Sequence, residues 1–181
     1  LFAVESHRRA LAATEAGYFN NEILDYDVNC SFLNPGQLET VQQEYTVTHD
    51  EGPRPGSSVE ALAKLRTVFR ADGTVTAGNS SQMSDGAGAV LLVSEKILKE
   101  YNLEPMGRFI ASSVAGVPAE VMGIGPKEAI PMCLKQAGLK QDQLDWIELN
   151  EAFAAQSLAV CNELKLDREK VYFIGYDPSL G

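Results

Sequence analysis

Histidine and cysteine are scarce, with two of the first and three of the second in 181 residues. His7 and His49 lie far from each other and from any cysteine, and Cys30, Cys133 and Cys161 share no Cys-x-x-Cys spacing, so no metal site is expected. An odd number of cysteines fits a reduced chain whose thiols are ordinary packing better than a disulfide scaffold. Long apolar runs are missing as well. The longest, Ala89 to Val93, is strand-sized and far from the ~20 residues a spanning helix needs, so a soluble protein without a membrane partner is expected, and the reduced cysteines make the cytoplasm its expected compartment. Basic residues are outnumbered 15 to 25, giving a net charge of −10 and a pI near 4.6, which argues against general affinity for nucleic acid or anionic lipid. Finally, Leu1-Phe2-Ala3-Val4 has no initiator Met, basic n-region or small-residue cleavage site, and it opens directly into a helical pattern. The expectation is an internal piece of a longer protein.

Apolar residues make up 45% of the chain, enough for a packed core in one fair-sized domain or two small ones, and disorder is a poor reading. Charge is uneven. Pro53 to Asp72 is locally positive, with Arg54, Lys64, Arg66 and Arg70 against Glu60 and Asp72. That stretch is either a solvated helix face or the place where an acidic protein would meet a phosphorylated ligand, since the local field governs such binding.

Phe2 to Ala16, rich in Ala, Leu, Glu and Arg and followed by Gly17, predicts a helix with its stop signal. Ile23 to Thr48 lacks helical periodicity and contains an Asn34-Pro35-Gly36 turn. Ser57 or Ser58 is positioned to cap a short helix through Ala61, Leu62, Leu65, Val68 and Phe69. No compact core is evident before Gly73. Thr74 to Thr76 alternates like a strand, Ala89 to Val93 carries a buried-strand signature, and Ser94 caps a helix through Ile97, Leu98 and Tyr101. Further strands are expected at Arg108 to Val117, Leu144 to Leu149 and Val171 to Ile174. Helices are expected from Pro126 or Pro131 to Gly138 and from about Ala152. From Arg108 on, that alternation is the order of a parallel α/β unit. A domain boundary is placed near Glu104 to Met106.

Ligands of open α/β sheets gather where strands end and helices begin, and Asn150-Glu151 stands at such a junction. Asn150 is read either as a structural cap of the helix or as a group holding a water or carbonyl oxygen. Ala77 to Ser81 is either a polar turn or a ligand-facing loop of small residues. Asp25-x-Asp27-x-Asn29 opens like a calcium loop, but Cys30 occupies the position needing Gly and Gly36 the one needing Glu.

Three segments, Thr74 to Ala87 (TVTAGNSSQMSDGA), Val121 to Pro126 (VMGIGP) and Asn150 to Gln156 (NEAFAAQ), resemble in order and spacing three signatures of the thiolases. The likeness runs from about Phe2 to Val171. It implies an α/β fold comprising part of the CoA-covering loop domain (residues 1–78), the end of the first α/β half (79–104) and the start of the second (105–181). The activity implied is acyl-CoA C-acyl transfer: reversible thiolytic cleavage of a 3-ketoacyl-CoA, or condensation of two acetyl-CoA, through a cysteine thioester. CoA and acyl-CoA would be substrates, no cofactor would be bound covalently, and the assembly would be a homodimer or homotetramer. The alternative is a non-catalytic, thiolase-like protein that binds CoA or acyl-CoA.

Position by position, Arg54 matches a family residue near the nucleotide end of CoA, Leu65 one beside the adenine, and Ser81 one on the pantetheine arm. Met122 and Phe153 match the acyl pocket, and Asn150 the residue that holds a water in an oxyanion hole. The locally positive stretch thereby favours its ligand reading. Other family features are missing. None of Cys30, Cys133 or Cys161 has the Cys-x-Ser context of the nucleophile. The Gly-His-Pro histidine belongs roughly thirty residues beyond Asn150, where Tyr172 to Gly181 contains no His, and the second acid/base Cys is absent. The 181 residues alone are therefore expected to be inactive.

Overall fold

The computed structural model describes residues 1–34, 36, 39–84 and 86–173. They form two compact units, one over Leu1–Arg66 and one over Thr67–Phe173.

In the first unit, α1 spans Phe2–Glu15. Its first turn is tied by Glu5, which accepts from Arg8 at 2.6 Å and Arg9 at 2.9 Å, the i+3 and i+4 neighbours on one helix face. Gly17 ends it in the left-handed region (φ +78°), and a Cβ there would come within 2.9 Å of the Asn20 amide. Strands β1 (Tyr26–Asn34) and β2 (Glu39–Val47) follow as an antiparallel hairpin in the stretch that lacked helical periodicity. Its register separates two faces. Val28 lies opposite Tyr45 and Phe32 opposite Val41, while on the other face Thr46 donates to Asp27 and Asn29 to Glu44. Gly36 donates to the Asn34 side chain at 3.0 Å; Pro35 of the expected turn lies outside the described residues. Among the described residues of this unit Ala13 is the one buried side chain, in keeping with the missing core.

Helix α2 is capped by Ser58, whose Oγ accepts from Ala61, but it covers only Val59–Leu62. The expected continuation through Phe69 does not form. β-branched Thr67 and Val68 favour extended backbone and find partners there: Thr67 bridges to Thr76, and Val68 donates to the Val75 carbonyl at 3.0 Å. The expected strand at Thr74 to Thr76 is correspondingly reduced to that single bridge.

The second unit is built on β3 (Ile147–Leu149), α5 (Ala154–Leu164) and β4 (Val171–Phe173), with the two strands parallel and Ile147 opposite Val171. This realises the strand-helix-strand order at the chain's C-terminal end; Ile174 lies outside the described residues. Leu149, Val160, Cys161, Leu166 and Val171 form the core, with Ile130, Ile147 and Leu164 against it. Helix α4 (Gly125–Ala137) starts with Pro126 in its first turn, while Pro131 lies inside it and does not start it. It ends at Gly138, in the left-handed conformation (φ +70°). Helix α3 (Glu95–Glu100) is capped by Ser94.

Two expected strands are not formed. Arg108 to Val117 and Ala89 to Val93 have no ladder partner among the described residues, and Val90 is 86% and Val114 91% exposed. An apolar run becomes a buried strand only where neighbours take its backbone hydrogen bonds and layers cover its faces. Among the described residues no helix is long and apolar enough to cross a membrane.

Two consequences are measurable. The arginines hold the Glu5 carboxyl down from its ordinary 4.5 to about 2, so its support of α1 is present above 4.5 and is lost as pH falls toward 2. Glu5→Gln is expected to remove that pH dependence from the far-UV circular dichroism of the helix. Val160 is wholly buried, and Val160→Ala is expected to cost about 2–3 kcal/mol in urea unfolding. A change within about 0.5 kcal/mol, typical of a surface site, would contradict the core assignment.

Candidate functional site

Within the second unit an open cleft of about 650 Å³ lies at the end of β3. One side is the strand end, Glu148 to Asn150, with Ala152, Phe153 and Gln156 at the head of α5; the other is Met122, Gly123 and the inner face of α4, from Pro126 to Cys133. Gly123 is required by close approach, because a Cβ there would meet the Gln156 Cγ at 2.8 Å. The extended segment before α4 is held by Ser113, whose hydroxyl donates to the Ala129 carbonyl at 2.7 Å.

The head of α5 is fastened by the Thr74 to Ser81 loop. Asn79 folds that loop on itself: its Oδ1 accepts from the Thr76 amide and its Nδ2 donates to the Thr74 carbonyl, both at 2.9 Å. The loop then clamps the helix start through two backbone bonds, Ser81 N–H to the Ala152 carbonyl at 2.8 Å and Ala154 N–H to the Asn79 carbonyl at 3.0 Å. Phe69 meets the Phe153 ring edge-on, with centroids 6.2 Å apart. Asn150 does not cap α5. Phe153 occupies that position, its backbone amide donates to Gln156 Oε1, and the first helical N–H is used by Asn79. The Asn150 carboxamide, exposed and lining the cleft, has no hydrogen-bond partner among the described residues, leaving two donors and one acceptor for a ligand or water.

The family model described as the N-terminal domain of thiolase matches residues 1–96, and that of the thiolase C-terminal domain matches residues 103–181. The chain belongs to the thiolase family. It is 44% identical over 180 residues to a 3-ketoacyl-CoA thiolase of Bacillus subtilis, covering 99% of this chain and 46% of that one. Among solved structures it is similar to human mitochondrial 3-ketoacyl-CoA thiolase in complex with CoA (TM-score 0.78, 42% identity, 94% of this chain and 40% of that one). The dimeric peroxisomal thiolase of Saccharomyces cerevisiae matches equally well (TM-score 0.78, 40% identity, 94% and 40%). The chain thus spans less than half the length of these relatives.

In this thiolase chain the structure brings Met122, Asn150 and Phe153 together around one cleft. Ser81 joins that wall through its bond to Ala152, although it does not line the cleft. Arg54 and Leu65 belong to the first unit, and both are exposed. Sequence reasoning assigned no role to Ser113, Gly123 or Gln156. Gln156 carried a signal, since a Gln three residues after a helix start is placed to accept from the start's own amide. Cys161 is a packing thiol whose burial pushes its pKa up, away from reactivity, whereas Cys133 is half-buried and lines the cleft. No cluster of three or more metal-ligating side chains occurs among the described residues.

If Asn79 holds the clamp, Asn79→Ala is expected to destabilise the unit by about 1–2 kcal/mol and to speed amide exchange at Ser81 and Ala154. Unchanged protection at those two amides would show that the backbone bonds stand without it.

Proposed function

We propose that this chain is part of an acyl-CoA C-acyltransferase that cleaves 3-ketoacyl-CoA with CoA, or runs the reverse condensation. The observation carrying the proposal is the cleft at the end of β3, lined by Met122, Phe153 and an Asn150 carboxamide that has no partner among the described residues, each in the family's own motif context. Asn150, through a bound water, would stabilise the thioester or enolate oxygen as charge develops. Met122 and Phe153 would enclose the acyl group, Ser81 would contact the pantetheine arm, and Arg54 and Leu65 would hold the nucleotide end. The local positive balance of Pro53 to Asp72 in an acidic chain supports the placement of Arg54.

Acyl transfer also needs a thiolate and a proton-transferring base. Since the chain matches 46% of its Bacillus relative, the proposal assigns both groups to a longer parent, in which residues 1–78 belong to the loop domain, 79–104 to the first half and 105–181 to the second. The two family matches meet between residues 96 and 103, which supports the boundary between the two halves. CoA enters as substrate. Homodimer formation is proposed by kinship with the dimeric yeast enzyme. Relatives named as mitochondrial, peroxisomal and bacterial leave family membership without a fixed compartment.

Asn150→Ala in the parent is expected to lower kcat for thiolysis by about 10²-fold to 10³-fold, with a smaller effect on KM, and the 181 residues alone are expected to show no turnover. A wild-type rate for the variant would remove Asn150 from the mechanism. CoA binding by a parent without any acyl transfer would favour the non-catalytic alternative.

A further inference from the structure

Within the first unit, both backbone polar groups of Arg54 are taken by partners. Its N–H donates to Nδ1 of His7, 47 residues away on α1, at 3.3 Å, and its carbonyl accepts from the Ser57 hydroxyl at 2.9 Å. Pro53 and Pro55 flank it and restrict the dihedrals on either side, while Gly56 turns the chain in the left-handed region (φ +77°) before Ser58 caps α2. With its main chain so constrained, Arg54 presents an exposed guanidinium from a fixed base. Preorganisation of that kind lowers the ordering cost of gripping a phosphate.

We propose that His7 is a positioning residue for Arg54, tying the Pro53 to Ser57 loop to α1 so that the guanidinium is set for the phosphates at the nucleotide end of CoA. The inference rests on the Arg54 assignment proposed above. It requires an imidazole that accepts at Nδ1 and carries its proton on Nε2. The environment favours this form: His7 is half-buried, and burial together with the nearby Arg54 charge pushes its pKa below the ordinary histidine value. Among the described residues Lys64 and Arg66, the other cations between Pro53 and Arg66, make no hydrogen bond to a distant segment, and both are exposed beyond the end of α2.

The test is calorimetric titration of the parent protein with CoA and with pantetheine, which is CoA without its nucleotide end. His7→Ala is expected to raise the Kd for CoA roughly threefold to tenfold, the effect of one lost hydrogen bond, and to leave pantetheine binding unchanged. His7→Asn, whose Oδ1 reaches the place of Nδ1, is expected to recover most of the loss. Unchanged CoA affinity in His7→Ala, beside a loss in Arg54→Ala, overturns the His7 role while the Arg54 assignment stands. Unchanged affinity in Arg54→Ala overturns both. An equal loss for CoA and pantetheine in His7→Ala identifies a general structural role and also overturns the proposal. Hydrogen exchange on the unsubstituted protein is independent of variant folding: the Arg54 amide is expected to be protected, and free exchange there contradicts the tether.

Discussion

Two backbone hydrogen bonds, from Ser81 to Ala152 and from Ala154 to Asn79, decide where the cleft's chemistry is displayed. They fasten a loop of small residues to the start of α5 and use the helix's first N–H, a group that has no partner within the helix. Asn150 lies before the cap position, which Phe153 occupies, and its carboxamide lines the cleft. The Asn79 side chain ties the same loop to itself, at the Thr76 amide and the Thr74 carbonyl.

The cleft's opposite wall follows a steric constraint. Gly123 lets the 3-10 turn over Ala119–Ile124 approach Gln156 more closely than any side chain would allow. Gln156 is meanwhile oriented by the Phe153 amide. Phe153 therefore has its backbone amide bonded from within the helix and its ring met edge-on by Phe69. A site with such supports keeps its geometry without reorganisation during reaction, which is where electrostatic stabilisation is most effective.

Local signals in the sequence were accurate wherever the determining interaction is itself local. Ser58 and Ser94 cap helices, Gly17 and Gly138 end them, and Pro126 starts one, because each acts within about one turn of its own position. Signals that need a distant partner fared worse. Ala89 to Val93 and Arg108 to Val117 have strand composition but no neighbour to pair with among the described residues. The apolar spacing through Leu65, Val68 and Phe69 read as helix because periodicity carries no information about the Thr76 bridge that draws Thr67 away.

Composition and motif order alone determined that this is an α/β thiolase chain of net acidic charge, with a positive stretch at Pro53 to Asp72 and with Asn150, Met122 and Phe153 as candidates for one site. Those properties are carried by residue identity and spacing along the chain. Tertiary structure decided that Asn150 is free of capping and that Gly123 and Gln156 shape its cleft. It also decided that His7 reaches Arg54 across 47 residues. Each of these rests on a contact between segments far apart in the chain, and no local pattern records which backbone group will take which distant partner.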